Sequence, residues 1–215
     1  AFDLEEQEQI SQIKGWWEQF GTLVTGAAVA AALASVGWQG WQWYQGKQSA
    51  EASALYGVLQ KAASEKNAQK AREAAGTLLE KYNGTAYADM AALLSAKVQA
   101  DAGDLKNARV PLAWAATKAN DPALRELARL RLATVLFDDK AYDEALAQLQ
   151  APTDESLVAR FADLKGDILL AQGKREEAKA AYKAVVADLE KATKGESAAL
   201  REIAQAKLDA VGGAQ

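Results

Sequence analysis

The sequence predicts an all-α protein, with a single N-terminal transmembrane helix followed by a domain of short antiparallel helical repeats. Three observations carry this. First, residues 19–46 contain no charged side chain, in a chain that is otherwise one quarter charged. Second, five of the six tryptophans crowd into residues 16–43, at the two ends of that uncharged stretch. Third, the remaining residues are dominated by Ala, Leu, Glu, Lys and Gln, with three prolines and no sustained apolar–polar alternation. Those residues favour helix, and strands would need a period of two.

The chain divides by composition into an acidic tail (1–18), an apolar span (19–46) and a helical domain (47–215). In the tail, Ile10, Ile13, Trp17 and Phe20 follow a 3-4-3 spacing that puts them on one helical face. Glutamates and glutamines occupy the other, the pattern of a short interfacial helix; a frayed polar tail up to Ile10 is the alternative. Residues 1–18 hold five acids and one base, so the whole net charge of −4 resides there. The rest of the chain is neutral and has no dense Lys/Arg run, which argues against nucleic-acid binding.

The span itself reads FGTLVTGAAVAAALASV over residues 20–36, followed by GWQGWQWY over 37–44. A bilayer-crossing helix needs about 20 mostly apolar residues. Indole and phenol rings suit the headgroup layers, so Trp16, Trp17 and Phe20 mark one interface and Trp38, Trp41, Trp43 and Tyr44 the other. A cleaved signal peptide would want a basic start, whereas this leader is acidic. Thr22, Gly26, Ala30 and Ala34 recur every fourth position, a small-residue row that would let a partner helix approach closely in lipid. Lys14 precedes the span while Lys47 and Lys61 follow it, a bias of one residue that leans towards a cytoplasmic repeat domain.

In the helical domain, helices are expected at 48–64, 68–82, 86–102, 105–119, 122–138, 141–150, 155–172, 174–192 and 197–211. The first of these can continue the membrane helix. Asn83-Gly84, Gly103-Asp104, Asp121-Pro122 and Gln172-Gly173 supply turn chemistry between them. Asn83-Gly84-Thr85 also matches a glycosylation sequon but reads better as a turn. The segment ADLKGDILLAQGKREEAKAAYKAVV (162–186) places Gly166, Gly173, Ala178 and Tyr182 at spacings of seven, five and four. That is similar to a tetratricopeptide repeat. The small residues stand where two antiparallel helices touch, a glycine makes the turn, and an aromatic fills the gap to the next repeat. Two upstream segments fit less well, with Ala108 and Ala145 equivalent to Ala178 at successive separations of 37 and 33, and Lys140 where a turn glycine would stand. Residues 78–93 read as the junction from a still more degenerate first unit.

With no His and no Cys, the chain lacks imidazole bases, thiol nucleophiles, thiolate metal sites and disulfides. No phosphate-cradling glycine loop is present, and acid pairs such as Asp138-Asp139 and Glu176-Glu177 are adjacent in sequence and so diverge. No enzyme activity, cofactor or metal is expected. What remains is binding, through a groove lined by the first helix of each repeat. On this template Lys97, Thr134, Phe137, Arg160, Asp163 and Asp167 face the groove.

Four stretches carry a resemblance to a known family. LEEQEQISQIKGWWEQFGT (4–22) and GWQGWQWYQGKQSAEASALY (37–56) flank the span; LEKYNGTAYADMAAL (79–93) and GDILLAQGKREEAKAAYK (166–183) lie in the repeats. Together they resemble the YfgM family, bacterial inner-membrane ancillary subunits of the Sec translocon, over nearly the whole chain. The resemblance implies a single-pass inner-membrane protein with a cytoplasmic N-terminus and a periplasmic repeat domain, opposite to the lysine bias. It implies association with the SecYEG translocon and with a membrane-anchored periplasmic peptidyl-prolyl isomerase (PpiD-like). It further implies a chaperone-like role towards unfolded secretory polypeptides. A pure protein–protein scaffold, or a cytoplasmic-facing adaptor, is the alternative.

Overall fold

The structure is a computed structural model that describes the backbone of residues 4–190 and 195–213 and the side chains of residues 10–190 and 195–212. All described elements are α-helices. The chain falls into two units, Ala1–Gln48 and Ser49–Gln215.

The first unit is the leading part of α1 (Leu4–Ser64). Its helix begins at Leu4, and the tail's first three residues lie outside the described residues. Along the span the apolar side chains are bare, with Leu23, Leu33 and Val36 exposed at 70, 69 and 68%. The helix is long and apolar enough to cross a membrane. Bare leucine and valine along such a length is what a lipid-facing helix presents. Trp16 lies against Phe20 and Trp17, with centroids 5.7 and 6.5 Å apart. At the other end, the Lys47 ammonium sits 5.8 Å from the Trp43 ring and the Gln48 amide donates to the Tyr44 hydroxyl at 2.8 Å.

In the second unit the helices pair. Residues 49–64 of α1 pack with α2 (Ala68–Lys81), α3 (Ala86–Asp101) with α4 (Leu105–Lys118), α5 (Pro122–Asp138) with α6 (Tyr142–Gln148), and α7 (Glu155–Ala171) with α8 (Arg175–Asp188). A last helix, α9 (Gly195–Gly213), packs on α8. The expected helices are all present. The eighth, expected over 174–192, ends at Asp188 with a turn at 189–190, and residues 191 and 192 lie outside the described residues.

The turns reveal the repeat better than the side chains do. Lys66, Gly103, Lys140 and Gly173 all adopt positive φ, between 54 and 78°. Each closes its helix with the same two bonds. The amide after it donates five residues back, as in Asn67 to Ala62, Asp104 to Gln99, Ala141 to Leu136 and Lys174 to Leu169, at 2.8–2.9 Å. Its own amide donates to the carbonyl three residues back. This is a left-handed helix stop, which satisfies carbonyls that the helix end leaves open. Five residues after each turn residue stands a fully buried alanine: Ala71, Ala108, Ala145 and Ala178. The first unit that looked degenerate in sequence is therefore a full repeat, and the domain has four equivalent turns among the described residues.

Capping side chains start the helices. Asn67, Asp104 and Asp154 accept from the amides of Lys70, Asn107 and Ser156 at 2.9–3.2 Å. Asp121 does the same for Ala123, with Pro122 as the first helical residue, where its missing amide costs nothing. The Asn83-Gly84-Thr85 sequon forms the turn into α3, with the Thr85 hydroxyl donating to the Tyr82 carbonyl at 2.8 Å.

The sixth helix also stops short of expectation. Read as 141–150, it ends at Gln148. The Arg129 guanidinium takes the carbonyls of Gln148 and Gln150, at 3.1 and 2.7 Å, and Pro152 follows. A carbonyl held from outside and a nearby proline both end a helix.

Candidate functional site

The first helices of the second and third repeats, α3 and α5, leave a cleft of 280 Å³ between them. Its floor is apolar, formed by Leu93, Ala96, Ala100, Val135 and, from α4, Leu112. Its rim carries Lys97, Asp101, Arg131, Thr134 and Asp138. The rim follows from the repeat: Lys97 and Asp101 stand in the second repeat where Thr134 and Asp138 stand in the third, 37 residues on. An apolar floor with a few polar groups on its edge suits a protein segment that buries one face.

The six groove residues chosen from sequence divide three ways. Lys97 and Thr134 line the cleft, although each also bonds within its own helix, Lys97 to Asp101 and the Thr134 hydroxyl to the Leu130 carbonyl at 3.0 Å. Phe137 does not line it: the ring is half-buried and packs on Tyr142, with centroids 5.9 Å apart. Arg160, Asp163 and Asp167 lie on α7 and meet α9, where Arg160 pairs with Glu196 and both aspartates bind Lys207. Sequence reasoning missed Asp101, Arg131 and Asp138. Stepping 37 residues along the turns, rather than matching a consensus, would have found Asp138 from Asp101.

The α7–α9 contact is built around one ammonium. Lys207 Nζ lies 2.9 and 3.0 Å from the two Asp163 oxygens and 2.8 and 2.9 Å from those of Asp167. It also stands 5.5 Å from the centre of the Tyr182 ring, whose hydroxyl donates to Asp167 at 2.8 Å. Burial alone pulls the ammonium down, but the hydrogen bonds and charges of Asp167 and Asp163 outweigh it and hold Lys207 above its ordinary value. Tyr182 is fully buried, and burial first, then its bond to Asp167, pushes its hydroxyl far up, so it remains a donor.

Two buried acids that the sequence reading did not single out hold neighbouring repeats together. Asp89 and Glu126 occupy the same repeat position, 14 residues before the turn, and are 2 and 8% exposed. Asp89 accepts the Asn120 amide at 2.9 Å, in the loop before α5. Glu126 accepts the amides of Thr153 and Asp154 and the Thr153 hydroxyl at 2.6–2.9 Å, in the loop before α7. The Thr153 bonds, chiefly, hold the Glu126 carboxyl below its usual range against the opposing pull of burial.

Trp16, Trp17, Phe20, Trp38, Trp41, Trp43 and Tyr44 are all exposed on α1. So are Thr22, Gly26, Ala30 and Ala34, with open space where a Gly26 side chain would be.

Comparison with known proteins fits this architecture. A tetratricopeptide repeat-like domain family matches residues 14–213. Among curated relatives, the ancillary SecYEG translocon subunit of Neisseria gonorrhoeae is 29% identical over 98% of this chain and 99% of its own length. That of Haemophilus influenzae is 32% identical over 85% of this chain and 89% of its own. That of Escherichia coli K12 is 33% identical over 48% of this chain and 50% of its own. Proteins so described are accessory subunits on a repeat scaffold, a non-enzymatic kind of protein. A bare apolar helix near the N-terminus, four tetratricopeptide-like helix pairs and matched relatives along nearly the whole chain converge on one assignment: this chain belongs to the YfgM family of ancillary SecYEG translocon subunits.

Proposed function

We propose that the protein is a single-pass bacterial inner-membrane accessory of the SecYEG translocon. In this reading its N-terminus is cytoplasmic and its repeat domain periplasmic. The cleft between α3 and α5 receives segments of partner proteins or of emerging secretory polypeptides. The observation that carries the reading is the coexistence, in one chain, of a bare apolar helix and a cleft with an apolar floor and charged rim. The relatives' names support the choice of channel.

The mechanism is tethering. An anchor that holds a binding surface beside the channel exit raises its effective concentration, into the mM range for short linkers. Weak contacts to Leu93, Leu112 and Val135 then suffice, and they release quickly. A membrane-anchored periplasmic peptidyl-prolyl isomerase is the further partner. The small-residue row of α1 is the surface offered to a helix in lipid.

The test is capture of the full-length protein from its native membrane in mild detergent, read by mass spectrometry. A variant whose residues 20–36 are replaced by an unrelated apolar helix runs beside it. Channel subunits and the isomerase should copurify with the first, and the channel should be lost with the second. Absence of the channel under conditions that preserve the translocon refutes the reading. Protease accessibility of the repeat domain in spheroplasts decides the orientation. Photo-crosslinking from position 134 to a stalled secretory chain separates client binding from a pure scaffold, which would give no adduct.

A further inference from the structure

We propose that Asp163, Asp167 and the Tyr182 ring form a lysine-reading subsite. In this structure Lys207 of the chain's own α9 fills it. A lysine-bearing amphipathic helix of a partner protein takes it over when α9 leaves. The inference rests on the proposed partner-binding role of the repeats and names the chemistry of one place on them.

Asp167 stands six residues before its turn residue, as Thr134 and Lys97 do before theirs. It therefore belongs to the same face as the open cleft, one step further along. At the cleft that face is open; at α7 a helix covers it. The cover is held by a site of high definition: four carboxylate oxygens within 3.0 Å of one ammonium, and an aromatic ring 5.5 Å away. Charge-assisted hydrogen bonds and a cation–π contact both favour a lysine over an uncharged side chain. Two carboxylates facing one ammonium leave one negative charge over, which favours a helix bringing more than one base.

The cover is also the helix best placed to leave. Its Ile203 is 52% exposed. Its apolar grip is Val211 and Leu208 on Tyr182 and Ala178, and Ala204 and Leu200 on Val185 and Ala159. Gly195 opens α9 at a φ of +75°, a conformation other residues resist.

The probe is a fluorescein-labelled peptide of residues 195–213, added to the full-length protein in nanodiscs. Lys207→Met protein should bind it at least about tenfold more tightly than wild type, the scale of a lost charge-assisted bond in the competing native helix. Asp163→Asn with Asp167→Asn in that background should abolish the gain, and so should a peptide with methionine for its lysine. Hydrogen exchange checks that residues 195–213 open while α7 and α8 stay protected. If Lys207→Met loosens α7 and α8 as well, Glu196→Gln, which removes only the exposed clasp to Arg160, serves as the opening variant. Equal binding of the lysine and methionine peptides overturns the proposal. So does wild-type protein that sediments as a dimer exchanging its α9 helices, since the subsite would then serve a second copy. Loss of peptide binding with channel capture intact sinks this inference alone; loss of channel capture sinks the functional reading.

Discussion

The third and fourth repeats share a backbone turn and the buried alanine five residues after it, but are held together differently. In the fourth, Gly173 takes the positive φ and Gly166 lets Tyr182 lie close against α7. Its second helix, α8, runs for 14 residues. In the third, Lys140 takes the same φ without a glycine's freedom, and α6 lasts seven residues. What α6 lacks in helix the third repeat recovers through side chains. Glu126 holds three donors at residues 153–154, and Arg129 holds two carbonyls while standing 5.5 Å from the Phe161 ring. In the fourth repeat the equivalent positions are Ala159 and Ala162. The lesson is that one architecture is reached by helix-to-helix packing in one repeat and by a polar clamp on a loop in the next.

The largest expected break of this comparison is in the fourth repeat. A Cβ at Gly166 would lie 2.4 Å from Tyr182 Cε1, against a fully buried ring that cannot retreat. Gly166→Val should cost about 3 kcal/mol or more, at the upper end of overpacking, and should expose α7 and α8 to hydrogen exchange. Tyr182→Leu in the same chain should restore part of the protection. If Gly166→Val left exchange unchanged, close packing would not be what holds this repeat.

The counterpart in the third repeat is Glu126→Ala. Loss of hydrogen bonds to a carboxylate should cost about 2 kcal/mol. Thermal melts of the full-length protein should show it, while Ala159→Ser at the equivalent place should cost less than half as much.

A smaller effect separates the two repeats by pH. The folded Glu126 carboxyl lies below its ordinary value, so the folded state binds fewer protons there than the unfolded state. Its stabilisation is complete above the unfolded pKa of about 4.3 and fades as pH falls through the folded value. Urea midpoints measured down the acid limb should fall less steeply for Glu126→Gln than for wild type. An unchanged slope would mean the clamp works equally well protonated.

The smallest effect is a reciprocal swap at the turns. Lys140→Gly should stabilise by about 0.5–1 kcal/mol and Gly173→Lys should cost about 1 kcal/mol, since positive φ strains a side chain. Equal and opposite shifts in the urea midpoint would show that both turns feel the same backbone demand.

The legible parts of the sequence were those where one residue type reports one constraint. Uncharged length between aromatic clusters marked the apolar helix, and turn residues bounded most helices to within a residue or two. Gly166, Gly173, Ala178 and Tyr182 announced the repeat because each fills a place that few other residues can. The first repeat was hidden because Lys66 does a glycine's work there and Ala75 stands where Tyr182 stands in the fourth. The cleft was half visible. Lys97 and Thr134 line it, while Phe137 turned inward to Tyr142, because a half-buried aromatic gains more from a ring partner than from water.

By itself, then, the sequence determined an apolar N-terminal helix, an all-α repeat domain and a chemistry without imidazole or thiol. These follow from composition and local spacing, which act within a few turns of chain. Only the tertiary structure decided that Asp89 and Glu126 are buried clamps rather than surface acids. It alone showed that Asp163 and Asp167 face a lysine 40 or more residues away, and that α9 covers one part of the first-helix face while the α3–α5 cleft stays open. A carboxylate reads the same in sequence whether water or an ammonium solvates it. The difference lies in what the repeat stacking brings within 3 Å, and that is set by residues far along the chain.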